Sequence, residues 1–102
     1  MDDNVPSVQP NMPPSPAVIR VTGTSRSTAV AGAIAAQIRE HGAAEVQATG
    51  APAINQAVKA IIIVRQYLDG EQLQLLYTPA FQEVELGVQH VIAIRFLLEG
   101  RS

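Results

Sequence analysis

Neither cysteine nor tryptophan occurs in this chain, and tyrosine and phenylalanine occur only twice each. The lack of cysteine excludes disulfides, thiol catalysis and thiolate metal sites. The scarcity of aromatic residues excludes a surface on which successive bases stack, of the kind that RNA-recognition motifs and OB folds use. Seven basic residues against nine acidic ones give a net charge of -2, so no overall basic field attracts phosphate backbones. A nucleic-acid site in this chain has to be a local patch.

Groups with catalytic chemistry are also few. The chain has two histidines, carboxylates without paired spacing, and no phosphate-loop, dinucleotide-glycine or metal-ligand motif. His41 falls at the end of a predicted helix, where an imidazole favours the negative end of the helix dipole, and His90 falls at the start of a predicted strand. Because no neighbouring group would orient either of them as a general base, we predict a protein that is not an enzyme and uses no cofactor or metal.

Long hydrophobic runs are missing as well. No stretch approaches the roughly 18 apolar residues of a membrane span, and Asp2 and Asp3 open the chain without the apolar region of a secretory signal. These absences favour a soluble, cytoplasmic protein. A composition of 47% hydrophobic and 16% charged residues over 102 positions predicts one folded core. Five prolines within residues 1–16 exclude helix and central strand there, so we expect a disordered tail at 1–16 and a single domain at 17–102.

Beyond residue 16 the pattern predicts strands that alternate with helices. Residues 79–89 alternate between apolar and polar side chains and could extend the last two strands as a hairpin arm. The order β-α-β-α-β-β favours an α/β domain of the two-layer α+β type, with two helices on a mixed four-stranded sheet. The predicted elements are strand 17–22, helix 28–41, strand 44–49, helix 52–68, and strands 73–78 and 90–98.

The second predicted helix is apolar around much of its circumference. Its buried face is expected to carry residues at helical spacing, while Ile62, Ile63 and Val64 extend the apolar arc further than one sheet face can cover. Two interpretations remain open: a homodimer that covers the extra surface, or a helix enclosed within one protomer. The residues of the expected buried face are Ile54, Ala57, Val58, Ile61, Arg65 and Leu68.

Two short polar segments are the candidate binding sites. The loop with Thr24, Ser25, Arg26 and Ser27 joins a strand to a helix N-terminus, whose N–H groups and dipole favour a phosphate. Its alternative role is ordinary N-capping by Ser25, Ser27 or Thr28. At the start of the second helix, Asn55, Gln56 and Lys59 could hydrogen-bond a nucleic-acid backbone or base, or form a solvated helix face.

The sequence resembles the stage V sporulation protein S family over roughly residues 18–98. The resemblance is carried by three blocks, at 27–35, 40–48 and 53–60, and by Pro-Ala-Phe at 79–81. The last long block, Ala-Ile-Asn-Gln-Ala-Val-Lys-Ala, is quite specific. That family is similar in fold to the Alba proteins, which are small dimeric chromatin and RNA-binding proteins with β-α-β-α-β-β topology.

The resemblance implies a nucleic-acid-binding regulatory protein that acts as a homodimer or tetramer. It implies nucleic-acid contacts by the first loop, the start of the second helix and the hairpin arm, and dimerisation through the second helix and the last strands. Arg26, Asn55, Gln56 and Lys59 become the contact candidates. The chain departs from Alba proteins in having fewer basic residues around these loops. A structural or protein-interaction module that binds no nucleic acid is the alternative function.

Overall fold

The computed structural model describes residues 17–102, and the tail predicted at 1–16 lies outside the described residues. The elements follow the predicted β-α-β-α-β-β order, which confirms the two-layer α+β fold class. In chain order they are β1 (Val18–Val21), α1 (Ser27–His41), β2 (Ala43–Ala48), α2 (Ala51–Gly70), β3 (Gln74–Leu86) and β4 (Gln89–Arg101).

A mixed four-stranded sheet in the order β1-β2-β4-β3 forms one layer. Strands β1 and β2 are parallel and are joined by the crossover helix α1, whereas β4 pairs antiparallel with both β2 and β3. Directly paired residues point to the same face of a sheet, so the pairs Val46 with Phe96 and Ala48 with Ile94 mark the face that the helices cover. This arrangement is the predicted sheet.

The last two strands form a long hairpin, which confirms the arm expected at 79–89. Each strand has 13 residues, and Gly87 and Val88 connect them. Gly87 is the first residue of this two-residue loop and has a φ of 63°. A positive φ at this position lets the loop follow the twist of the two strands, and glycine adopts it without a steric penalty. Glu85 pairs with His90 near the tip, and Phe81 pairs with Ile94 at the level of β2. The hairpin therefore continues beyond the body of the sheet.

Alanines bring α2 close to the sheet and to α1. Ala57, Ala60 and Val64 are fully buried, but Val58 and Arg65, which were predicted for the buried face, are exposed. The expected face is therefore confirmed at Ala57, Ile61 and Leu68 and wrong at Val58 and Arg65. Small side chains permit a close approach of the helix, so the buried face includes Ala53 and Ala60 and is turned away from Val58 and Arg65. Helix α2 also begins at Ala51 and continues to Gly70, beyond the expected bounds.

The C-terminal end of α1 packs tightly against β4. The helix ends as expected at Gly42, which has a φ of 82° and whose N–H donates to the Ile38 carbonyl at 2.7 Å. The N–H of Gly100 in turn donates to the Gly42 carbonyl at 3.1 Å. A Cβ atom at Gly100 would lie 2.7 Å from Cγ2 of Ile38, so a larger residue at this position would have to displace Ile38. The end of α1 is thereby fixed on the last strand.

Candidate nucleic-acid interface

The N-termini of α1 and α2 lie side by side. The side-chain N–H of Gln56 donates to the Ser25 carbonyl at 2.6 Å, which joins the first turns of α2 to the loop before α1. Gly23 packs on the start of α2 so closely that a Cβ atom there would lie 2.9 Å from Cβ of Pro52. Two of the segments predicted from the sequence are therefore brought together into one surface.

Hydroxyl groups hold the loop before α1 in shape. The N–H of Thr22 donates to Oγ of Ser25 at 2.9 Å, and the N–H of Ser25 donates to the Thr22 carbonyl at 3.1 Å. Oγ1 of Thr22 also lies 3.2 Å from Oγ1 of Thr24 and 3.1 Å from Oγ of Ser25. These bonds close a tight turn, and they occupy the Ser25 hydroxyl within the loop.

No side chain caps the N-terminus of α1. The N-cap residue is Arg26, with an extended backbone, and its carbonyl accepts the first helical bond from Val30 at 2.9 Å. The alternative expectation that Ser25, Ser27 or Thr28 caps the helix is therefore wrong, because the hydroxyl of Ser25 bonds back to the turn. The first-turn N–H groups of α1 are left without a side-chain acceptor.

The N-terminus of α2 is uncapped in the same way. Gly50 is the N-cap residue, with φ and ψ of 88° and 154°, a conformation that is essentially restricted to glycine. The first helical bond runs from the N–H of Ile54 to the Gly50 carbonyl at 3.0 Å, and no side chain caps the helix. Pro52 has no N–H to satisfy. Two uncapped helix N-termini thus share one surface, where partial positive charges from both dipoles add.

Exposed polar and basic side chains surround the two helix starts. Arg26 and Lys59 are exposed, and within residues 17–102 neither makes an ion pair. Asn55 is exposed one helical turn before Lys59. Gln56 is half-buried and its amide already bonds to the loop, so it positions the site from within. At the helix starts the surface can therefore present the Arg26 guanidinium and several N–H donors to an anion, and Lys59 lies roughly 12 Å further along α2.

The sequence did not predict how the loop before α1 packs on the start of α2, which depends on Thr22, Gly23 and Pro52. Thr22 was expected only as the end of a strand, yet both its N–H and its hydroxyl shape the loop. Gly23 was expected as a strand terminator and Pro52 as a helix start. Their contact could not be found from spacing, because the two positions are far apart in the chain and meet only once α1 and β2 are in place. Turn-forming residue types at both positions are the signal that was available.

An acidic arm lies beside the loop before α1, where Glu85 lines the same cleft as Thr22 and Gly23. Glu83 and Glu85 are exposed on β3, where the resemblance implied a further nucleic-acid contact. The arm is tied to the centre of the sheet by a bond from the side-chain N–H of Gln47 to Oε1 of Gln82 at 3.0 Å. The charge of Glu83 and Glu85 opposes a phosphate backbone, so a contact by the arm stays a prediction of the resemblance.

Residues 17–102 contain no group of three or more histidine, aspartate or glutamate side chains placed to hold a metal ion. Nε2 of His41 lies 3.4 Å from Oε1 of Glu40 at the end of α1, and His90 is exposed near the arm tip. Neither α1 nor α2 is long and apolar enough to cross a membrane.

The fold and the site together define a small two-layer α+β protein whose two helix N-termini open side by side, without side-chain caps, on one surface. A family model described as stage V sporulation protein S matches residues 17–101. Since the match covers most of the chain, the protein belongs to the stage V sporulation protein S family, as the sequence resemblance implied.

Proposed function

We propose that this member of the family is a nucleic-acid-binding regulatory protein that acts as a homo-oligomer and contacts phosphate backbones. The observation that carries the proposal is the pair of adjacent, uncapped helix N-termini at Ser27 and Ala51. Helix N-termini bind phosphates through their N–H groups and positive dipole ends. Arg26 supplies a guanidinium group at one of them. Its planar set of N–H donors matches the oxygens of a phosphate better than the compact charge of a lysine does.

The distribution of charge supports a small interface. With a net charge of -2 and an acidic arm, the protein has few cations to place against a backbone. Arg26 and Lys59 from each protomer amount to a few phosphate contacts in a dimer, so binding should be modest and should weaken with salt. This favours a regulatory protein at limited sites over one that coats long stretches of duplex.

Fluorescence anisotropy of labelled duplex DNA and of single-stranded RNA, titrated with the full chain at low and near-physiological salt, tests the proposal. On duplex we expect a slope of roughly -0.9 in log affinity against log salt for each phosphate contact. Arg26→Ala combined with Lys59→Ala should abolish binding. Arg101→Ala is the matched control, since that arginine is exposed at the far end of β4. A folded protein that binds neither nucleic acid at either salt would contradict the proposal.

A structural or protein-interaction module is the second candidate, and a specific observation favours it. Val58 and Ile62 on α2 are 42% and 53% exposed, and Phe81 on β3 is 81% exposed. Exposed apolar side chains on neighbouring elements mark a contact surface for another protein chain. Oligomers that bind no DNA or RNA in the anisotropy experiment would support this function in place of the first.

A further inference from the structure

A cleft of about 440 Å³ opens at the carboxyl ends of β1 and β2, from which the chain continues to the two helix starts. Arg20, Thr22 and Gly23 border it on β1 and in the loop that follows, and Gln47 and Thr49 border it at the end of β2. In open α/β sheets, ligands bind outside the carboxyl ends of the parallel strands. The volume also lies within the roughly 300–1,000 Å³ of small-ligand sites. We refer to this site as the strand-end cleft.

The end of the hairpin forms the opposite wall of the strand-end cleft. Val84, Glu85 and Leu86 of β3 line it, so residues of both alternations border the cleft at the rim of the sheet. The bond from Nε2 of Gln47 to Oε1 of Gln82, at 3.0 Å, spans the intervening strand β4 and ties the arm to β2 beside the cleft. This wall supplies two aliphatic side chains and one carboxylate.

Arg20 and Glu85 bring opposite charges to one cleft without pairing with each other. Both side chains are exposed, and no ion pair joins them within residues 17–102. A ligand of the cleft should therefore offer hydrogen-bond acceptors to the guanidinium and donors to the carboxylate. Because Glu85 repels a phosphate group, this wall does not fit a nucleic-acid backbone. It fits a neutral group that donates hydrogen bonds.

A guanine base meets both demands. Its Watson–Crick edge carries two adjacent donors, N1–H and the N2 amino group, and one carboxylate can accept from both. Its O6 and N7 atoms are acceptors that match an arginine. The other bases offer a carboxylate one donor group only. The loop with Thr22 and Gly23 leads from the cleft to Arg26, so a strand whose phosphate is bound at the helix starts can place a neighbouring base in the cleft.

We propose that the strand-end cleft binds one unpaired guanine base of a single-stranded nucleic acid. Glu85 accepts hydrogen bonds from the Watson–Crick edge, Arg20 donates to O6 or N7, and the aliphatic side chains of Val84 and Leu86 contact the base. In a duplex the same edge is occupied by cytosine, so the cleft selects single strands. One base in a cleft also suits a chain with few aromatic residues, since no succession of bases has to stack. The inference rests on the proposed function and names the class of nucleic acid that the site takes.

Fluorescence anisotropy of the full chain with labelled oligouridylates tests the base contact. One strand carries a single central guanine, and matched strands carry adenine or inosine at that position. The guanine strand should bind at least about fivefold more tightly than the adenine strand. Inosine lacks the N2 amino group, so it should lose part of this preference. Duplexes made by annealing the guanine and adenine strands to their complements should bind equally, because the Watson–Crick edge is then occupied.

Substitutions in the cleft separate recognition of the base from repulsion by the arm. Glu85→Gln should abolish the preference for guanine over adenine, while affinity for the adenine strand should not fall, since a negative charge is removed. Arg20→Ala should weaken binding of the guanine strand more than that of the adenine strand. Glu83→Gln is the matched control: it removes the same charge from the same strand at a position that does not line the cleft, so the preference should remain.

The results distinguish the base contact from the proposed function. If all three strands bind equally and lose affinity together in Arg26→Ala with Lys59→Ala, the phosphate contacts stand and the base contact is refuted. If Glu83→Gln changes the preference as much as Glu85→Gln does, the preference comes from the overall charge of the arm, which also refutes it. Circular dichroism of each variant confirms that it is folded. Binding to no strand contradicts the proposed function itself, and the base contact is refuted with it.

Discussion

The amide of Gln56 holds the carbonyl of Ser25 at 2.6 Å, and this single bond connects the two helix starts on which the proposed function depends. It joins positions 31 residues apart in the sequence, on two different elements. The bond fixes the loop whose next residue is Arg26, the N-cap of α1. Gln56 therefore acts on the interface through the geometry of Arg26 and of the neighbouring N–H groups.

Replacing Gln56 by alanine should affect nucleic-acid affinity more than it affects the free energy of unfolding. The change removes one half-buried hydrogen bond, whose net contribution to stability is about 0.5–1.5 kcal/mol. Nucleic-acid affinity should fall as well, because Arg26 is no longer held beside the start of α2. Urea unfolding and anisotropy measure the two effects. Gln66→Ala, on the exposed face of the same helix, is the control and should change neither.

Two glycines should respond to alanine in opposite directions. A Cβ atom at Gly100 would lie 2.7 Å from Cγ2 of Ile38, and overpacking of this kind typically costs about 1–3 kcal/mol. Gly32 lies inside α1 with no atom near its missing Cβ, so alanine there should add about 0.4–1 kcal/mol by reducing the entropy of the unfolded chain. Urea unfolding of both variants checks the signs. Equal effects would contradict the close packing of β4 on α1.

The fold followed from the sequence because its signals are local. Strand and helix periodicity, Gly42 after α1 and the alternation across 79–89 each specify an element without knowledge of its neighbours. The inward face of α2 could be predicted only in part, since apolar residues occupy more of its circumference than the sheet covers. Its orientation depends on how closely Ala57 and Ala60 let the backbone approach the sheet, which is a property of the assembled layers.

The sequence predicted which residues belong to the candidate site, but not the contacts that bring them together. Arg26 and Lys59 were identified from residue type and from position near a helix start, and both are exposed as a binding role requires. The hydroxyl of Ser25 was a candidate helix cap, and the structure places it in the turn with Thr22. A serine hydroxyl at this position can bond either to the N-terminus of the helix or to the backbone of the preceding turn, so only the fold decides between the two.

The ion pair between Arg39 and Glu71 should make stability depend on pH in the acid range. Nε of Arg39 donates to the two carboxylate oxygens of Glu71 at 3.2 and 3.1 Å, and this hydrogen bonding, with the nearby charge, lowers the pKa of Glu71 below its ordinary value of 4.5. A carboxyl with a lowered folded-state pKa stabilises the fold above its unfolded pKa, and this contribution disappears as the pH falls through the folded value. The contribution of Glu71 is therefore present at neutral pH and is lost progressively as the pH falls from about 4.5 through the lower folded-state pKa.

Thermal unfolding of the wild type and of Glu71→Gln between pH 7 and pH 3 measures this contribution. The variant should be the less stable protein at neutral pH, and the difference should shrink as the wild-type carboxyl becomes protonated. A double-mutant cycle with Arg39→Gln isolates the pair from other carboxyls. High salt should reduce the coupling, because both side chains are solvent-exposed. A difference that stays constant across the pH range would refute the assignment.

Gly23→Ala tests whether the close packing of the two helix starts is needed for nucleic-acid binding. Alanine at this position would bring its Cβ within 2.9 Å of Cβ of Pro52, so the loop before α1 and the start of α2 must move apart. That movement strains the bond between Gln56 and Ser25 and separates the two uncapped helix N-termini. We expect Gly23→Ala to lower nucleic-acid affinity although no basic residue is lost, with a salt dependence close to that of the wild type if the same phosphates are still contacted.

Gly70→Ala, at an end of α2 with no atom near the missing Cβ, is the matched control. If Gly23→Ala binds as tightly as the wild type, the adjacency of the two helix starts is not what binds the phosphates.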